Sequence, residues 1–175
     1  DQMKANGNTI LCTIGHICRG KGFDFAIEAS DILKRNGIHF KWIFIGKVLE
    51  ENLLKLIADK KLDDNILLVG IQSNPYPYIS LSDIVVHPSR FEGKSIALDE
   101  AKILCKPIVV TNFSTVGDQF ENGKNGTISE MSGKAVANAV IELINNPNLQ
   151  DSYRMYLETH IIDNSSEVNK LYKFL

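Results

Sequence analysis

The sequence predicts a three-layer α/β domain built on a parallel sheet, and three observations carry that reading. Short β-branched runs alternate with amphipathic helical stretches along nearly the whole chain, the rhythm of βαβ units rather than of hairpins. The first three runs each end on a glycine, at Gly15, Gly46 and Gly70. A length of 175 residues with 44% hydrophobic and 23% charged content suits one ordinary globular domain.

Residues 1–8 are polar and read as a linker or extension, leaving 9–175 as the domain. A buried strand is expected at 9–14. The turn at 15–22 (GHICRGKG) is glycine-rich and basic. A helix follows at 23–35, with Phe23, Ala26, Ile27, Ser30 and Leu33/Lys34 near helical spacing, and Asn36-Gly37 closes it. Residues 40–45 form a second strand. Residues 50–60 suit a helix with Leu53, Leu54, Ile57 and Ala58 on one side. A third strand occupies 66–69. Residues 71–77 read as a turn, and a short helix at 78–82 precedes the fourth strand, which starts at Ile84 and is stopped by His87 and Pro88.

A polar loop holding Glu92 leads to a helix from about Ser95, and Pro107 opens a fifth strand at 108–110. Residues 116–120 read as a helical turn, 122–126 as a turn and 127–128 as a short sixth strand. Helices are expected at 133–145, 149–158 and 166–174. The result is a sheet of about six parallel strands, and in such sheets ligands bind at the carboxyl ends of the strands, near a switch in strand order. Gly15, Gly46, Gly70 and the Glu92 loop all fall at those ends, so they are expected to face one crevice.

Composition narrows the function classes. A net charge of -2 gives no support for a polyanion-binding surface, so nucleic acid is not expected as a partner. No apolar run approaches the ~20 residues of a membrane helix, and no signal-peptide pattern is present. Three cysteines, Cys12, Cys18 and Cys105, without C-x-x-C spacing point to reduced thiols in a cytosol-like compartment. The first residue is Asp1, so the chain reads as a fragment or a processed chain that holds part of an active site.

Two carboxylates frame the candidate site: Glu92 in the loop and Glu100 in the helix, eight positions apart. Ile96, Ala97, Ile103 and Leu104 lie one turn from Glu100, which therefore points from an apolar face. A carboxylate there needs hydrogen-bond donors, either backbone amides or a ligand's hydroxyl pair. Asp99 shares its side with Ser95 and Lys102 and is expected to be solvated. Glu92 precedes a helix start whose first amides lack intrahelical partners. Either that helix end takes a phosphate or a sugar hydroxyl, or Glu92 caps it; residue types leave both open. In the basic turn, Lys21 can meet phosphate oxygens, or the charges are simply those of a solvated turn.

Other motifs fail. Gly93-Lys94-Ser95 looks like the end of a P-loop, but Pro88 stands where its first glycine is required. Gly15, Gly20 and Gly22 do not make G-x-G-x-x-G. His16, His39, His87 and His160 are scattered, so no metal site is expected. No G-x-S-x-G elbow occurs.

These motifs together resemble the C-terminal, donor-binding domain of GT-B glycosyltransferases of the retaining family 4. Glu92 and Glu100 match that family's E-x7-E signature, in the contexts HPSRFEG and DEA. Gly15-His16-Ile17-x-x-x-Lys21-Gly22 matches its glycine-arginine-hydrophobic-x-x-x-lysine-glycine element. Gly46 and Gly70 match its strand–glycine steps, and Pro107 to Val110 its proline-led strand. The resemblance runs from about Thr9 to Ile144 and is nearest to bacterial enzymes of capsular or surface polysaccharide synthesis.

The resemblance implies a Rossmann-like fold that is the C-terminal half of a GT-B enzyme, with a nucleotide-diphospho-sugar as donor, UDP- or GDP-linked, and transfer with retention. Lys21 would neutralise the diphosphate, Glu100 would accept the ribose hydroxyls, and Glu92 would lie against the donor sugar. Amides of Gly93, Lys94, Ser95 and Ile96 would bind sugar and distal phosphate, beside Gly15 and His16. Lys47, Ile71 and Gln72 would border the base. No metal or other cofactor is implied.

An N-terminal acceptor domain would complete the enzyme, with 149–175 packing against it. Without that domain, apolar Leu171, Tyr172 and Phe174 are expected to be left exposed. A lipid-linked saccharide at the membrane surface would be the acceptor, and the protein would be cytoplasmic, peripheral at the inner face of the membrane. Two departures stand out: His16 replaces the usual phosphate-binding arginine, with Arg19 or Lys94 as the compensating cation, and Cys105 replaces a glycine before the closing strand. The alternatives are a nucleotide-sugar epimerase-like enzyme of the same architecture and a non-catalytic nucleotide-sugar binding domain.

Overall fold

Six strands, β1 (Thr9–Ile14), β2 (Phe40–Ile45), β3 (Ile66–Gly70), β4 (Ile84–His87), β5 (Ile108–Thr111) and β6 (Thr127–Ser129), form one sheet in the order β3-β2-β1-β4-β5-β6. Every neighbouring pair is parallel. The structure, a computed structural model, describes residues 7–160. The chain starts at the sheet's centre, runs out to β3, returns to β4 and continues to β6. The order therefore reverses between β1 and β4, which is where an open parallel sheet leaves a crevice.

Among the described residues six helices cover this sheet: α1 (Phe23–Arg35), α2 (Asn52–Asp59), α3 (Tyr76–Leu81), α4 (Ile96–Ile103), α5 (Gly133–Asn145) and α6 (Pro147–Thr159). Strand side chains alternate between two buried faces. Leu11, Trp42, Phe44, Val86 and Val109 pack under α1 and α5, against Phe23, Ile27, Leu33, Val136 and Val140. On the other face Ile10, Cys12, Ile43 and Ile45 lie under Tyr78 and Leu81 of α3, and Val85, Ile108 and Val110 under Leu98 and Ala101 of α4. The polar Thr13 is buried among the apolar strand residues. Its Oγ1 accepts from Trp42 Nε1 at 2.9 Å and donates to the Val86 carbonyl at 2.8 Å, so neither buried group is left unpaired.

Several expected elements shift. The short helix begins at Tyr76 inside the expected 71–77 turn, because a proline in the first helical turn needs no amide partner. The helical turn at 116–120 is a single 3-10 turn, Val116–Asp118. The helix expected at 149–158 starts at Pro147, capped by the Asn146 side chain, which accepts from the Leu149 amide at 3.2 Å. In α2, Leu53 and Ile57 are buried while Ala58 is exposed, and Leu56 packs on the core in its place. Cover on both faces fails at edge strand β3, where Leu67 and Leu68 are 41% and 40% exposed. The expected helix at 166–174, with Leu171, Tyr172 and Phe174, lies outside the described residues, as do residues 1–6 of the expected linker.

Helices α1, α2 and α4 end alike: the residue after the cap turns left-handed, and two amides fold back on the last turn. Gly37 takes that position after α1 with φ 70°, Lys61 after α2 with φ 55°, and Cys105 after α4 with φ 51°. After α4 the Cys105 amide donates to the Lys102 carbonyl at 2.9 Å and the Lys106 amide to the Ala101 carbonyl at 3.0 Å. A side chain at this φ is strained by about 1 kcal/mol. Cys105→Gly is therefore expected to raise the free energy of unfolding by about 0.5–1 kcal/mol, and Cys105→Val to lower it by about 1 kcal/mol. Urea midpoints at constant m-value test this, and a destabilised Gly variant would refute it.

Candidate functional site

A crevice opens at the carboxyl ends of β1, β2 and β4, formed by two adjoining cavities. The first, of about 430 Å³, is bordered by Gly15, His16, Lys47, Ile71 and Gln72, over an apolar floor that includes Ile14 and Ile45. The second, of about 300 Å³, is bordered by His87, Glu92, Lys94, Ser95, Ile96 and Glu100. Ile14, Gly15 and Lys21 line both, so Lys21 stands at the junction.

Close backbone approach assembles the crevice. Gly22 has φ 69°, and a Cβ there would lie 1.7 Å from the Pro88 carbonyl oxygen. The turn after β1 thus rests directly on the loop after β4, tied further by the Arg90 amide donating to the Gly20 carbonyl at 3.1 Å. Arg90 also grips Asp24 of α1 with two bonds, of 2.7 and 2.8 Å, and lies 3.8 Å over the Phe25 ring.

This packing sets Lys21 against Glu92. The Lys21 ammonium donates to both carboxylate oxygens at 2.8 Å, and His87 Nε2 lies 3.0 Å from Glu92 Oε1. The Glu92 side chain is 9% exposed and Lys21 36%. Burial pushes the Glu92 carboxyl up, but bonds from His87, Lys21 and Ser89 outweigh it and hold the group down at about 2. Glu92 therefore does not cap α4. Ser95 does, its Oγ accepting from the Leu98 amide at 3.4 Å. Thr115 Oγ1 donates to the Glu92 carbonyl at 2.7 Å and fixes the loop.

The structure brings together most of the residues singled out in the sequence. Gly15, His16, Lys21, Lys47, Ile71 and Gln72 meet at the first cavity, and Glu92, Lys94, Ser95, Ile96 and Glu100 at the second. Arg19 departs: it lines neither cavity, and its side chain pairs with Glu50 and Asp24, both at 3.7 Å. Its side chain thus stands outside the crevice. Gly93 lies in the loop and lines neither cavity; its carbonyl accepts from Thr115 Oγ1 at 3.5 Å.

The Ser95 amide is likewise committed. It donates to Gln119 Oε1 at 2.7 Å, while Gln119 Nε2 donates back to the Ser95 carbonyl at 3.4 Å. The amides of Ile96 and Ala97, in the first turn, have no intrahelical acceptor.

Helical phase also misplaced the burial of α4. Its buried stripe is Leu98, Ala101 and Lys102, whereas Ile96 is 73% and Ile103 57% exposed. The apolar face that carries Glu100 thus fronts the crevice and solvent, not the core, and Glu100 is half-buried. Asp99 is not solvated: its side chain is 16% exposed and lies 3.1 Å from buried Lys102. Lys102 in turn donates to the Gln119 carbonyl at 2.7 Å.

Sequence reasoning missed His87, Gln119 and Thr115. His87 sat in the sequence at a strand end one turn of chain before Glu92, which was its only signal; the other two act from the β5–β6 connection, with none. Among the described residues no group of three or more His, Cys, Asp or Glu converges to hold a metal, and no helix is long and apolar enough to cross a membrane. A larger hollow, about 540 Å³, lies between α4 and α6. Of its lining groups, Lys102 and Lys94 both lie near Asp99, at 3.1 and 3.7 Å, and Glu121 pairs with Lys124 at 2.7 Å.

Comparison with known proteins follows this geometry. The family model described as glycosyl transferases group 1 matches residues 1–159. The chain is 29% identical over 169 residues to a poly(ribitol-phosphate) alpha-N-acetylglucosaminyltransferase of Staphylococcus aureus, covering 93% of this chain and 34% of that protein. It is 30% identical over 146 residues to the alpha-D-kanosaminyltransferase of Streptomyces kanamyceticus, covering 81% and 38%. A crystal structure of a mutant S. aureus TarM in complex with fondaparinux, alpha-GlcNAc-glycerol and UDP superimposes with a TM-score of 0.84 at 25% identity, over 95% of this chain and 35% of that one. The chain therefore spans little more than a third of the length of these relatives.

The Glu92 bonds predict an acid response. A carboxyl at about 2 when folded, against an ordinary value of 4.5, contributes stability that is complete above the ordinary value and is lost as pH falls toward 2. From pH 7 to pH 2 the wild type is expected to lose about 3 kcal/mol more than Glu92→Gln. Urea unfolding across that range measures it, and parallel curves would refute it.

Proposed function

This chain belongs to the glycosyl transferases of group 1, and on that premise we propose that it is the donor-binding part of a transferase. The enzyme moves a sugar from a nucleotide-diphospho-sugar to an acceptor, with retention, in bacterial polysaccharide or glycoconjugate synthesis. The observation that carries this reading is Lys21 at the junction of the two cavities, with Glu92 and Glu100 on one side and an apolar floor on the other. One ligand suits these surfaces: a base in the first cavity, a diphosphate at Lys21, and ribose and sugar hydroxyls at Glu100 and Glu92.

The base enters the first cavity over Ile14 and Ile45, bordered by Lys47, Ile71 and Gln72. Glu100, on the crevice face of α4, accepts the ribose hydroxyls; a carboxylate accepts two hydroxyls at once. Lys21 meets the diphosphate beside Gly15, His16 and Lys94, supported by the amides of Ile96 and Ala97 at the positive end of α4. Glu92 faces the sugar. The departing diphosphate is an anion, and fixed positive charge stabilises it as it leaves, so no metal is invoked.

The acceptor belongs to a second, N-terminal domain across the crevice. A lipid-linked saccharide and a cytoplasmic protein at the inner face of the membrane complete this reading.

Calorimetric titration with UDP, GDP and ADP tests the proposal. At least one is expected to bind, and Glu100→Ala is expected to weaken it about 30-fold, the loss of about 2 kcal/mol from hydrogen bonds to a charged group. Absence of binding by all three, or equal binding by Glu100→Ala, would overturn it.

A further inference from the structure

We infer that His87 is a positioning residue for Glu92, holding its carboxylate in the crevice when Lys21 leaves it for a diphosphate. The inference rests on the donor-binding reading above and adds a residue and an exchange of partners to it. Lys21 is already engaged: its ammonium makes two 2.8 Å bonds to Glu92. A diphosphate in the crevice carries more negative charge than that one carboxylate and competes for the same cation. Lysine suits such an exchange, being a compact charge on a flexible stem, and this one is 36% exposed.

Glu92 cannot follow. Its side chain is 9% exposed, its carbonyl is held by Thr115, and a buried carboxylate stripped of its donors is costly. His87 is the donor that stays: the Ser89 hydroxyl also favours the charged carboxylate, but it donates to the Phe91 and Gly20 carbonyls, at 3.1 and 3.4 Å. Its backbone is in β4, in register with Val110 of β5, its side chain is 6% exposed, and its ring meets Phe113 edge-on at 6.1 Å. Because a carboxylate only accepts, the hydrogen sits on His87 Nε2, which also lies 3.4 Å from Ser95 Oγ. The other charged side chains at this cavity are Lys94, 67% exposed and 3.7 Å from Asp99, and Glu100. Neither replaces His87.

The test is a double-mutant cycle on nucleotide affinity, using whichever of UDP, GDP and ADP binds the wild type most tightly. Glu92→Gln is expected to tighten binding about fivefold, because Lys21 no longer has a competing carboxylate. His87→Leu is expected to weaken it about fivefold, because Glu92 then keeps Lys21. The double variant should match Glu92→Gln alone, and His87→Gln, which retains a side-chain N–H donor, should come back near wild type. A His87→Leu loss that persists beside Glu92→Gln, or a Glu92→Gln variant that binds no tighter, overturns the inference while leaving the donor-binding reading intact. No binding by the wild type overturns both. Nitrogen NMR of the His87 ring checks the point without any substitution: Nε2 is expected to carry its proton in both free and nucleotide-loaded protein, and a bare Nε2 on loading refutes it.

Discussion

The backbone contact between Gly22 and Pro88 is the constraint on which the rest of the site depends. The turn after β1 reaches the loop after β4 only because residue 22 has no side chain: a Cβ would sit 1.7 Å from the Pro88 oxygen. A second close approach, of Gly46 against Gly15, does the same for β2, with a Cβ placed 1.9 Å from the Gly15 oxygen. Three strand ends are thereby stacked, and the crevice is the space they leave where the strand order reverses. Neither contact is a strong interaction. Each is a steric permission, and the ionic contacts form because it is granted.

Chief among those contacts is a nearly buried carboxylate with donors on two sides. Glu92 would be costly without them, and the structure supplies one mobile cation and one fixed ring. The same economy shows in the Ser95 region. Gln119 takes both the amide and the carbonyl of Ser95, while Lys102, on the buried side of α4, holds the Gln119 carbonyl. The start of α4 is thus tied to the β5–β6 connection, which packs on the same face of the sheet, and the amides of Ile96 and Ala97 remain for a ligand.

How much of this was legible in the sequence follows from the range of each interaction. β1, β2, α1 and α5 are set by local periodicity and by caps within a few residues, and their bounds were readable. Gly15, Gly46 and Gly70 marked strand ends because a positive φ at those points is a local demand. Phase on α4 gave the right grouping for Glu100 but the wrong environment, since periodicity tells which residues share a face and not whether protein or crevice lies opposite. Arg19 and the Ser95 amide were misjudged because their partners, Glu50 and Gln119, stand 31 and 24 residues away. His87 was dismissed as one of four scattered histidines, although only the fold decides which of them meets a carboxylate.

The electrostatics of the crevice turn on how few cations remain available. Arg19 pairs outside it, and His16 is exposed at its border. Lys47 belongs to the end proposed for the base, and Lys94 reaches solvent. A diphosphate placed near Gly15, as proposed, thus depends chiefly on Lys21. Yet Lys21 is already bound to a nearly buried carboxylate. Holding Glu92 by a second donor resolves that conflict, because the cation can then move without leaving an unpaired charge behind. The scarcity of cations at the crevice and the buried histidine at the end of β4 are, on this argument, two sides of one charge balance.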